Sequence, residues 1–243
     1  MKKFIINLAK ESGKIALNHL NNATITEKSH KNVVTDADLE IDKYIRNEII
    51  QNYPNHNIIT EENYSIFNDS EYTWYIDPID GTSNYSHSDP NFAIVIALAK
   101  NGQVINSCVY MPVFDELYYA ELNQGTELNG EKVNVTNVNE IKNAMIQMGI
   151  SPYDDSFDDS IKLFKHFMLK SFRVRDSGFC QGQLAYVSNG RADAMIKYDQ
   201  YSWDIAAGIL LVTEAGGKVT DEKGEKIILE NSNKRYNIVA SNG

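Results

Sequence analysis

The sequence predicts a mixed α/β fold with layered sheets, and three features of its patterning support this prediction. Apolar residues recur with helical spacing over residues 2–20 and 36–52, and the second stretch ends at Tyr53-Pro54. Short β-forming runs then follow one another closely through the middle of the chain. Helical and strand-like segments alternate in the remaining part, which is typical of sheets covered by helices.

The strand-like runs are rich in β-branched and aromatic residues. They cover residues 57–60, 73–77, 92–99, 103–111, 117–121, 172–176, 191–197 and 237–240. Asn101-Gly102 separates two of them and predicts a hairpin turn. Three further helices are predicted over residues 156–169, 181–189 and 203–215.

The composition fits one globular domain, or two subdomains that share a core. The chain has 243 residues, of which 42% are hydrophobic and 23% are charged. No apolar run approaches the roughly 20 residues that cross a bilayer. The apolar stretch near the N-terminus is interrupted by Asn7, Lys10 and Glu11, which does not fit a signal peptide.

Cysteine content and net charge restrict the compartment and the partners. Two cysteines, Cys108 and Cys180, are too few for a disulfide scaffold, so we expect a cytoplasmic protein. The chain carries 23 basic and 33 acidic side chains, a net charge of −10. That balance disfavours nucleic acids and anionic membranes as partners. A site for divalent cations would explain part of the acidic excess.

The most informative segment, WYIDPIDGTSNY, joins an apolar strand to a turn. The strand ends at Asp77, Pro78 fixes the backbone, and Asp80 follows three residues after the first aspartate. This spacing directs both carboxylates and the carbonyl of Ile79 towards one point. Hard oxygen ligands in that arrangement suit Mg²⁺. Taken singly, Asp-Pro and Asp-Gly mark turns, and that is the alternative interpretation.

Backbone N–H groups follow these carboxylates directly. Gly81, Thr82 and Ser83 would offer them to a phosphate group beside the metal ions if a helix begins at this point.

The run resembles the D-P-[ILD]-D-G-T-x-N-[FY] signature of the inositol monophosphatase family. The resemblance implies that Asp77, Asp80 and the Ile79 carbonyl bind Mg²⁺. It also implies that Thr82 helps to hold the water that attacks the phosphate.

Two shorter segments towards the N-terminus resemble the same family. Ile59-Thr60-Glu61-Glu62 is similar to its G-E-E segment, with threonine in place of the usual glycine. Glu61 is thereby implied as a metal ligand, whereas Glu62 is expected to act indirectly or to be exposed. Residues 34–38 resemble the pattern V-T-x-x-D, which implies that Asp38 acts on the attacking water. An aspartate at a helix start is alternatively only a cap.

A segment towards the C-terminus resembles the family pattern W-D-x-A-A-G…E-A-G-G over residues 203–217. It implies that Asp204 is the third carboxylate of the metal pair. The predicted helix here is apolar, and an aspartate at its start is costly to bury unless it caps the helix or binds a cation.

The residues expected to contact the substrate differ from the family pattern. Gly178-Phe179-Cys180-Gln181 stands where many members read Gly-Ser/Thr-Ala-Ala, a segment that touches the substrate. Lys197 stands where inositol phosphatases often carry glutamate. A lysine facing the substrate would favour a second anionic group, and the alternative is that it turns to solvent. The expected substrate contacts are Asp80, Gly81, Thr82, Ser83, Gly178, Phe179, Cys180, Lys197 and Asp204.

The resemblance as a whole implies a layered αβαβα sandwich of the sugar-phosphatase and inositol monophosphatase type. It covers residues 1–243 as one domain, with subdomains of roughly 1–140 and 141–243 that share the active site. It also implies a homodimer.

The implied activity is lithium-sensitive hydrolysis of a small phosphorylated metabolite with two or three Mg²⁺ ions, in which Glu61, Thr82 and Asp38 act on water. Inositol 1-phosphate is the default substrate. Fructose 1,6-bisphosphate, NADP and 3′,5′-bisphosphonucleotides are alternatives. A protein that binds metal and phosphate without turnover is a further alternative, and a structural protein has no feature in its favour.

Overall fold

The computed structural model describes residues 1–29, 32–62, 64–150, 156–230 and 234–243. The helices in these ranges are α1 (Lys2–His19), α2 (Asp36–Asn52), α3 (Thr82–Ser86), α4 (Phe157–Lys170), α5 (Cys180–Ser188) and α6 (Ala206–Glu214). The strands are β1 (Ile25–Ser29), β2 (Asn32–Thr35), β3 (Asn57–Thr60), β4 (Tyr72–Asp80), β5 (Ala93–Lys100), β6 (Gln103–Met111), β7 (Glu116–Glu121), β8 (Gly125–Leu128), β9 (Glu131–Val133), β10 (Met145–Met148), β11 (Arg173–Arg175), β12 (Ala194–Gln200), β13 (Lys218–Thr220) and β14 (Tyr236–Ser241). None of the described helices is both long and apolar enough to cross a membrane.

Local sequence explains how the first two helices form. Helix α1 buries Ile5, Leu8 and Ala16 along one side, as its apolar spacing predicts. Helix α2 begins with a capping box, in which Thr35 Oγ1 accepts a hydrogen bond from the amide of Asp38 and the Asp38 carboxylate accepts one from the amide of Thr35. The box therefore starts the helix and orients Asp38 at the same time.

Two sheets form the framework of the molecule. The larger one has seven strands in the order β3-β4-β5-β6-β7-β8-β9, and only β3 and β4 are parallel. The smaller one has five strands in the order β11-β10-β12-β14-β13, and β10 is parallel to both of its neighbours. Because β3 and β4 run in the same direction, their C-terminal ends lie side by side at the same end of the larger sheet.

The layers follow from which faces are apolar. Helices α1 and α2 cover one face of the larger sheet around Ile41 and Trp74. Its other face packs against α5 and α6 in a second core, which the smaller sheet joins through Met195. Helix α4 packs on the outer face of the smaller sheet around Ile146. The order helix, sheet, helix, sheet, helix confirms the predicted αβαβα sandwich.

Strand β4 departs from the sequence prediction because it continues to Asp80 instead of ending at Asp77. Pro78 has no amide hydrogen to donate, so the pairing with β5 shifts register after Asp77 and resumes where Asp80 lies opposite Ala93. In a regular strand, residues three apart point to opposite faces. The bulge lets the two aspartates serve the same site.

Other boundaries also differ from the predictions. Helix α6 begins at Ala206, three residues after the predicted start, because the Asp204 carboxylate accepts the amide of Tyr201 and holds a turn there. Short strands such as β8, β9 and β13 carry too few residues to show a period, and the sequence does not predict them. The hairpin turn at Asn101-Gly102 is confirmed, with φ angles of 49° and 76°.

Candidate active site

Asp77 forms the centre of the candidate site. It lies on β4 next to the bulge, and only 2% of its surface is exposed. Its Oδ1 has no hydrogen-bond partner among the residues that the structure describes. Burial raises the pKa of Asp77 well above its ordinary value, and the charges of Glu61, Asp80 and Asp204 raise it further. Four carboxyl groups therefore converge where one buried oxygen lacks a partner.

A divalent cation fits this arrangement. Carboxylate oxygens are hard ligands, and a cation would satisfy the unpartnered oxygen of Asp77 while it offsets the repulsion among the carboxylates. Within the described residues, no three acidic, histidine or cysteine side chains are already spaced for one ion. These carboxyl groups would therefore have to move closer together to hold one ion.

Asp80 joins the larger sheet to α5. Its carboxylate accepts the amides of Cys180 at 2.8 Å, Gln181 at 2.7 Å and Gly182 at 3.0 Å, which are the first three residues of that helix. Burial raises the pKa of Asp80 to about 6, although Lys197 and the amides of Gly182 and Cys180 act in the opposite direction. The helix thus fixes this carboxylate from the side opposite the sheet.

Glu61 and Glu62 follow the C-terminal end of β3. The amide of Glu61 donates to the carbonyl of Ile76 on β4 at 3.3 Å, which extends the parallel pairing and brings the glutamate beside Asp77. Glu62 is buried, with 6% of its surface exposed, so the expectation that it is exposed is wrong, and the indirect role stays a prediction.

Thr60, which stands where the family pattern has glycine, is hydrogen-bonded to helix α2. Its hydroxyl donates to the carboxylate of Asp42 on α2, and Arg46 Nε donates to the same carboxylate at 2.6 Å. The end of β3 is thereby tied to α2.

Thr82 and Asp38 lie within hydrogen-bond distance although 44 residues separate them in sequence. Thr82 Oγ1 is 3.3 Å from Asp38 Oδ1 and 3.0 Å from the carbonyl oxygen of Ile79. The other carboxylate oxygen of Asp38 accepts the amide of Thr35 at 2.8 Å. The capping box therefore leaves one Asp38 oxygen directed at the threonine hydroxyl.

The turn before Thr82 requires glycine. Gly81 has a φ of +92°, and a side chain there would lie 2.9 Å from the carbonyl oxygen of Asn91 and from Cβ of Phe179. Helix α3 begins directly after it, which meets the condition set for a phosphate site here, and Ser83 is exposed on that helix.

Asp204 lies in the turn before α6, where its Oδ2 accepts the amide of Tyr201 at 2.8 Å. This bond closes the turn but does not cap α6, because the residue at the helix start is Ile205 and no described side chain caps the first amides. The charge of Asp204 also acts on Asp77 and on Asp80. Asp204 therefore belongs with Glu61, Asp77 and Asp80 to one group of carboxyl side chains, called the acidic cluster below.

Lys197 faces the acidic cluster from β12. Its aliphatic stem lies across Gly149, where a side chain would come within 2.5 Å of Cδ and 2.7 Å of Cε. Burial alone would lower the pKa of Lys197, but Cys180, Asp204 and Asp80 together raise it above its ordinary value. The ammonium group is therefore a charged neighbour of the carboxylates.

The structure places the Phe179 and Cys180 side chains inside the molecule, with 1% and 2% exposed. The Phe179 ring fills the space above Gly182 and contacts the Tyr186 ring edge-on at 5.8 Å. Cys180 reaches the acidic cluster through its backbone amide. Gly178 lies at the rim of the site with a φ of +73°, where a side chain would meet Asn84.

Asn84 is a residue of the site that the sequence analysis did not single out. Its Nδ2 donates to the carbonyl of Asn91 at 2.7 Å and to that of Ser177 at 2.9 Å, so it ties the turn after β4 to the loop before α5. Its fixed place in the signature was the only sequence signal of this role.

Comparisons with known proteins agree with this geometry. The model of the inositol monophosphatase family matches residues 1–242. An inositol monophosphatase from Dictyostelium discoideum is 37% identical over 239 residues, 93% of this chain and 86% of the relative. A fructose-1,6-bisphosphatase/inositol-1-monophosphatase from Thermotoga maritima is 35% identical over 92% of this chain and 85% of its own length. The structure of the suppressor protein suhB from Bartonella henselae superposes with a TM-score of 0.91 at 31% identity, covering 99% of this chain and 93% of that one. The chain therefore belongs to the inositol monophosphatase family and is a phosphatase that acts on phosphate monoesters.

Proposed function

We propose that this chain hydrolyses a small phosphate monoester with two or three Mg²⁺ ions held by Glu61, Asp77, Asp80, Asp204 and the Ile79 carbonyl. The family to which it belongs uses divalent metal ions. The observation that carries the proposal is the clustering of Glu61, Asp80 and Asp204 around the buried Asp77, whose Oδ1 has no hydrogen-bond partner in the described part of the chain.

Thr82 and Asp38 act as a unit in this proposal. Bound cations supply positive charge to the phosphoryl oxygens and activate water. The Thr82 hydroxyl lies 3.0 Å from the Ile79 carbonyl and 3.3 Å from Asp38 Oδ1. With the carbonyl serving as a metal ligand, its single hydrogen goes to Asp38, and its lone pairs accept a hydrogen bond from the attacking water. As the new P–O bond forms and the bond to the leaving group breaks, the proton that the water loses passes to Thr82 Oγ1 while the Thr82 hydrogen passes to Asp38 Oδ1. The leaving oxygen takes a proton from solvent water.

The first substrate to test is inositol 1-phosphate, which the family name and the relative from Dictyostelium discoideum support. In this proposal Gly81 and Ser83 at the start of α3 and Gly178 in the loop before α5 would border the bound phosphate. We further propose that the enzyme is a homodimer and that its two subdomains, roughly 1–140 and 141–243, each contribute to one site.

Phosphate release with and without Mg²⁺ tests the proposal. Activity should be lost in EDTA and return with Mg²⁺, and lithium should inhibit it. Asp204→Asn should reduce both Mg²⁺ binding and turnover, whereas Asp158→Asn on the exposed start of α4 removes the same charge outside the site. Full activity in EDTA would contradict the metal-dependent mechanism, and metal binding without turnover on any substrate would favour a binding protein.

Lys197 supports a second candidate, in which the preferred substrate carries another anionic group. The stem of this lysine passes over Gly149 and its ammonium group lies near Asp80 and Asp204. In this second candidate the ammonium group would face the leaving group of the substrate. An ammonium group only donates hydrogen bonds, so it matches a phosphate or carboxylate better than a neutral hydroxyl.

A substrate panel separates the two candidates. We expect Lys197→Met, which keeps the stem but removes the charge, to lose roughly 5–30-fold in kcat/KM on fructose 1,6-bisphosphate, NADP or a 3′,5′-bisphosphonucleotide. The loss on inositol 1-phosphate should be smaller. Equal losses across the panel would show that Lys197 does not distinguish these substrates.

A further inference from the structure

We propose that Gln181 is a positioning residue that fixes the distance between Asp80 and Asp204 and thereby sets the affinity of the site for its metal ion. This inference rests on the proposed function, because it takes Asp80 and Asp204 to be metal ligands. Asp80 is part of the larger sheet, whereas Asp204 precedes α6, so their separation depends on contacts between distant parts of the chain.

The backbone of Gln181 holds the first of these ligands. Its amide donates to Asp80 Oδ2 at 2.7 Å, the shortest of the three bonds that α5 makes with this carboxylate. The position of residue 181 is therefore fixed relative to the end of β4.

The side chain of Gln181 holds the segment that carries the second ligand. Its Nε2 donates to the carbonyl of Trp203 at 2.8 Å, in the residue directly before Asp204. Its Oε1 accepts the amide of Gly208 on α6 at 2.7 Å. One side chain thus binds the chain on both sides of Asp204.

Because Gln181 is buried, losing either hydrogen bond of its side chain would carry an energetic cost. The residue is fully buried, and a buried amide that lost either partner would leave a polar group unsatisfied. An apolar side chain would fill the same volume without specifying where Trp203 and Gly208 lie. The side-chain amide therefore fixes the distance between Asp80 and Asp204, which packing alone would not fix.

Calorimetric titration of the metal-free protein with Mg²⁺ tests the inference. Gln181→Met keeps the length and approximate volume of the side chain but removes both hydrogen bonds. We expect the Kd for Mg²⁺ to rise roughly 10-fold, within the range seen when groups that orient metal ligands are removed. Turnover at saturating Mg²⁺ should change much less than turnover at low Mg²⁺.

Gln183→Met is the matched control on the same helix. Gln183 is also buried, but among the described residues its side-chain amide makes only a long bond of 3.4 Å to Asp176. A general loss of packing would lower the melting temperature in both variants and leave the Kd of both unchanged. Gln181→Asn, whose amide is one methylene too short to make both bonds, provides a second variant if Gln181→Met does not fold.

The outcomes distinguish the inference from the proposed function. A raised Kd in the Gln181 variants alone supports the inference. A folded Gln181→Met protein with the Kd of the wild type overturns it and leaves the proposed function intact. A wild-type protein that binds no Mg²⁺ overturns both.

Discussion

Strands β3 and β4 run in parallel, and their two ends differ in how completely the polar groups are paired. At the N-terminal end, His56 stacks between the rings of Tyr53 and Tyr72 with centroid distances of 5.1 and 4.8 Å. Its Nδ1 accepts a hydrogen bond from Trp74 Nε1 at 3.1 Å. These ring contacts and this satisfied hydrogen bond stabilise the fold.

The C-terminal end of the same strands is the opposite case. Glu61, Asp77 and Asp80 place like charges together, and the buried Oδ1 of Asp77 has no partner among the described residues. Buried like charges destabilise the metal-free protein. In one pair of strands, the N-terminal end therefore stabilises the fold, whereas the C-terminal end carries groups that a bound ligand would compensate.

Asp77→Asn should produce the largest effect, and it should separate activity from stability. We expect kcat/KM to fall on the order of 10³-fold, because the central carboxylate of the site is lost. In EDTA at pH 8, however, we expect the melting temperature to rise, since an amide can donate to a neighbouring carboxylate where two carboxylates repel each other. Phosphate release and thermal unfolding measure the two effects.

The same variant can also show that the two ends of β3 and β4 do not differ in this way. If Asp77→Asn unfolds at a lower temperature than the wild type in EDTA, the carboxyl groups at this end are already compensated and carry no electrostatic cost. If it retains turnover, Asp77 is not part of the catalytic site.

The sequence predicted the C-terminal end of β4 far better than the N-terminal end. Asp77 and Asp80 lie in one short run whose spacing predicted a shared metal site, and the resemblance to the family signature added Thr82. His56 received no role, because its partners come together only through the parallel pairing of β3 and β4, which joins segments that are not adjacent in sequence. The contact between Gly149 and Lys197 was hidden for the same reason.

Fold prediction had the same limit. Long periodic helices such as α1 and α2 were predicted to within a residue or two, since a stripe of apolar residues defines them. Strand β10 was missed because it has four residues and its neighbours, β11 and β12, follow much later in the chain. The bulge after Asp77 was not predicted, although Pro78 causes it, because a proline does not reveal whether a strand resumes beyond it.

Trp74→Phe should produce a smaller effect at the paired end of the strands. Trp74 is fully buried and contacts the ring of Phe4 at 6.0 Å as well as His56. The variant loses the hydrogen bond and part of the packing, so we expect the free energy of unfolding to fall by about 1–3 kcal/mol. Urea unfolding measures this loss. The Mg²⁺ concentration for half-maximal activity should not change, and a large shift in that concentration would show that the two ends are coupled.

The smallest expected effect is a dependence of stability on the protonation of His56. Burial lowers the pKa of His56 below its ordinary value of about 6.5. Below pH 6.5 the unfolded chain therefore binds more protons at this position than the folded chain does. The stabilising contribution is present above that pH and is lost as the pH falls through the lowered folded-state pKa. Protonation also removes the lone pair that accepts the hydrogen bond of Trp74 Nε1.

His56→Asn isolates this contribution, because its Oδ1 can replace Nδ1 as the acceptor but does not titrate. Both proteins share every other titratable group, including the carboxylates at the opposite end of the strands, so the difference between their melting curves reports His56 alone. Between pH 7.5 and pH 5.5 in EDTA, we expect the melting temperature of the wild type to fall further than that of the variant, by about 1–2 °C. The ring is only partly buried, which keeps the effect small. Parallel declines in the two proteins would mean that the stacked rings tolerate the imidazolium ion and that this end of the strands does not sense pH.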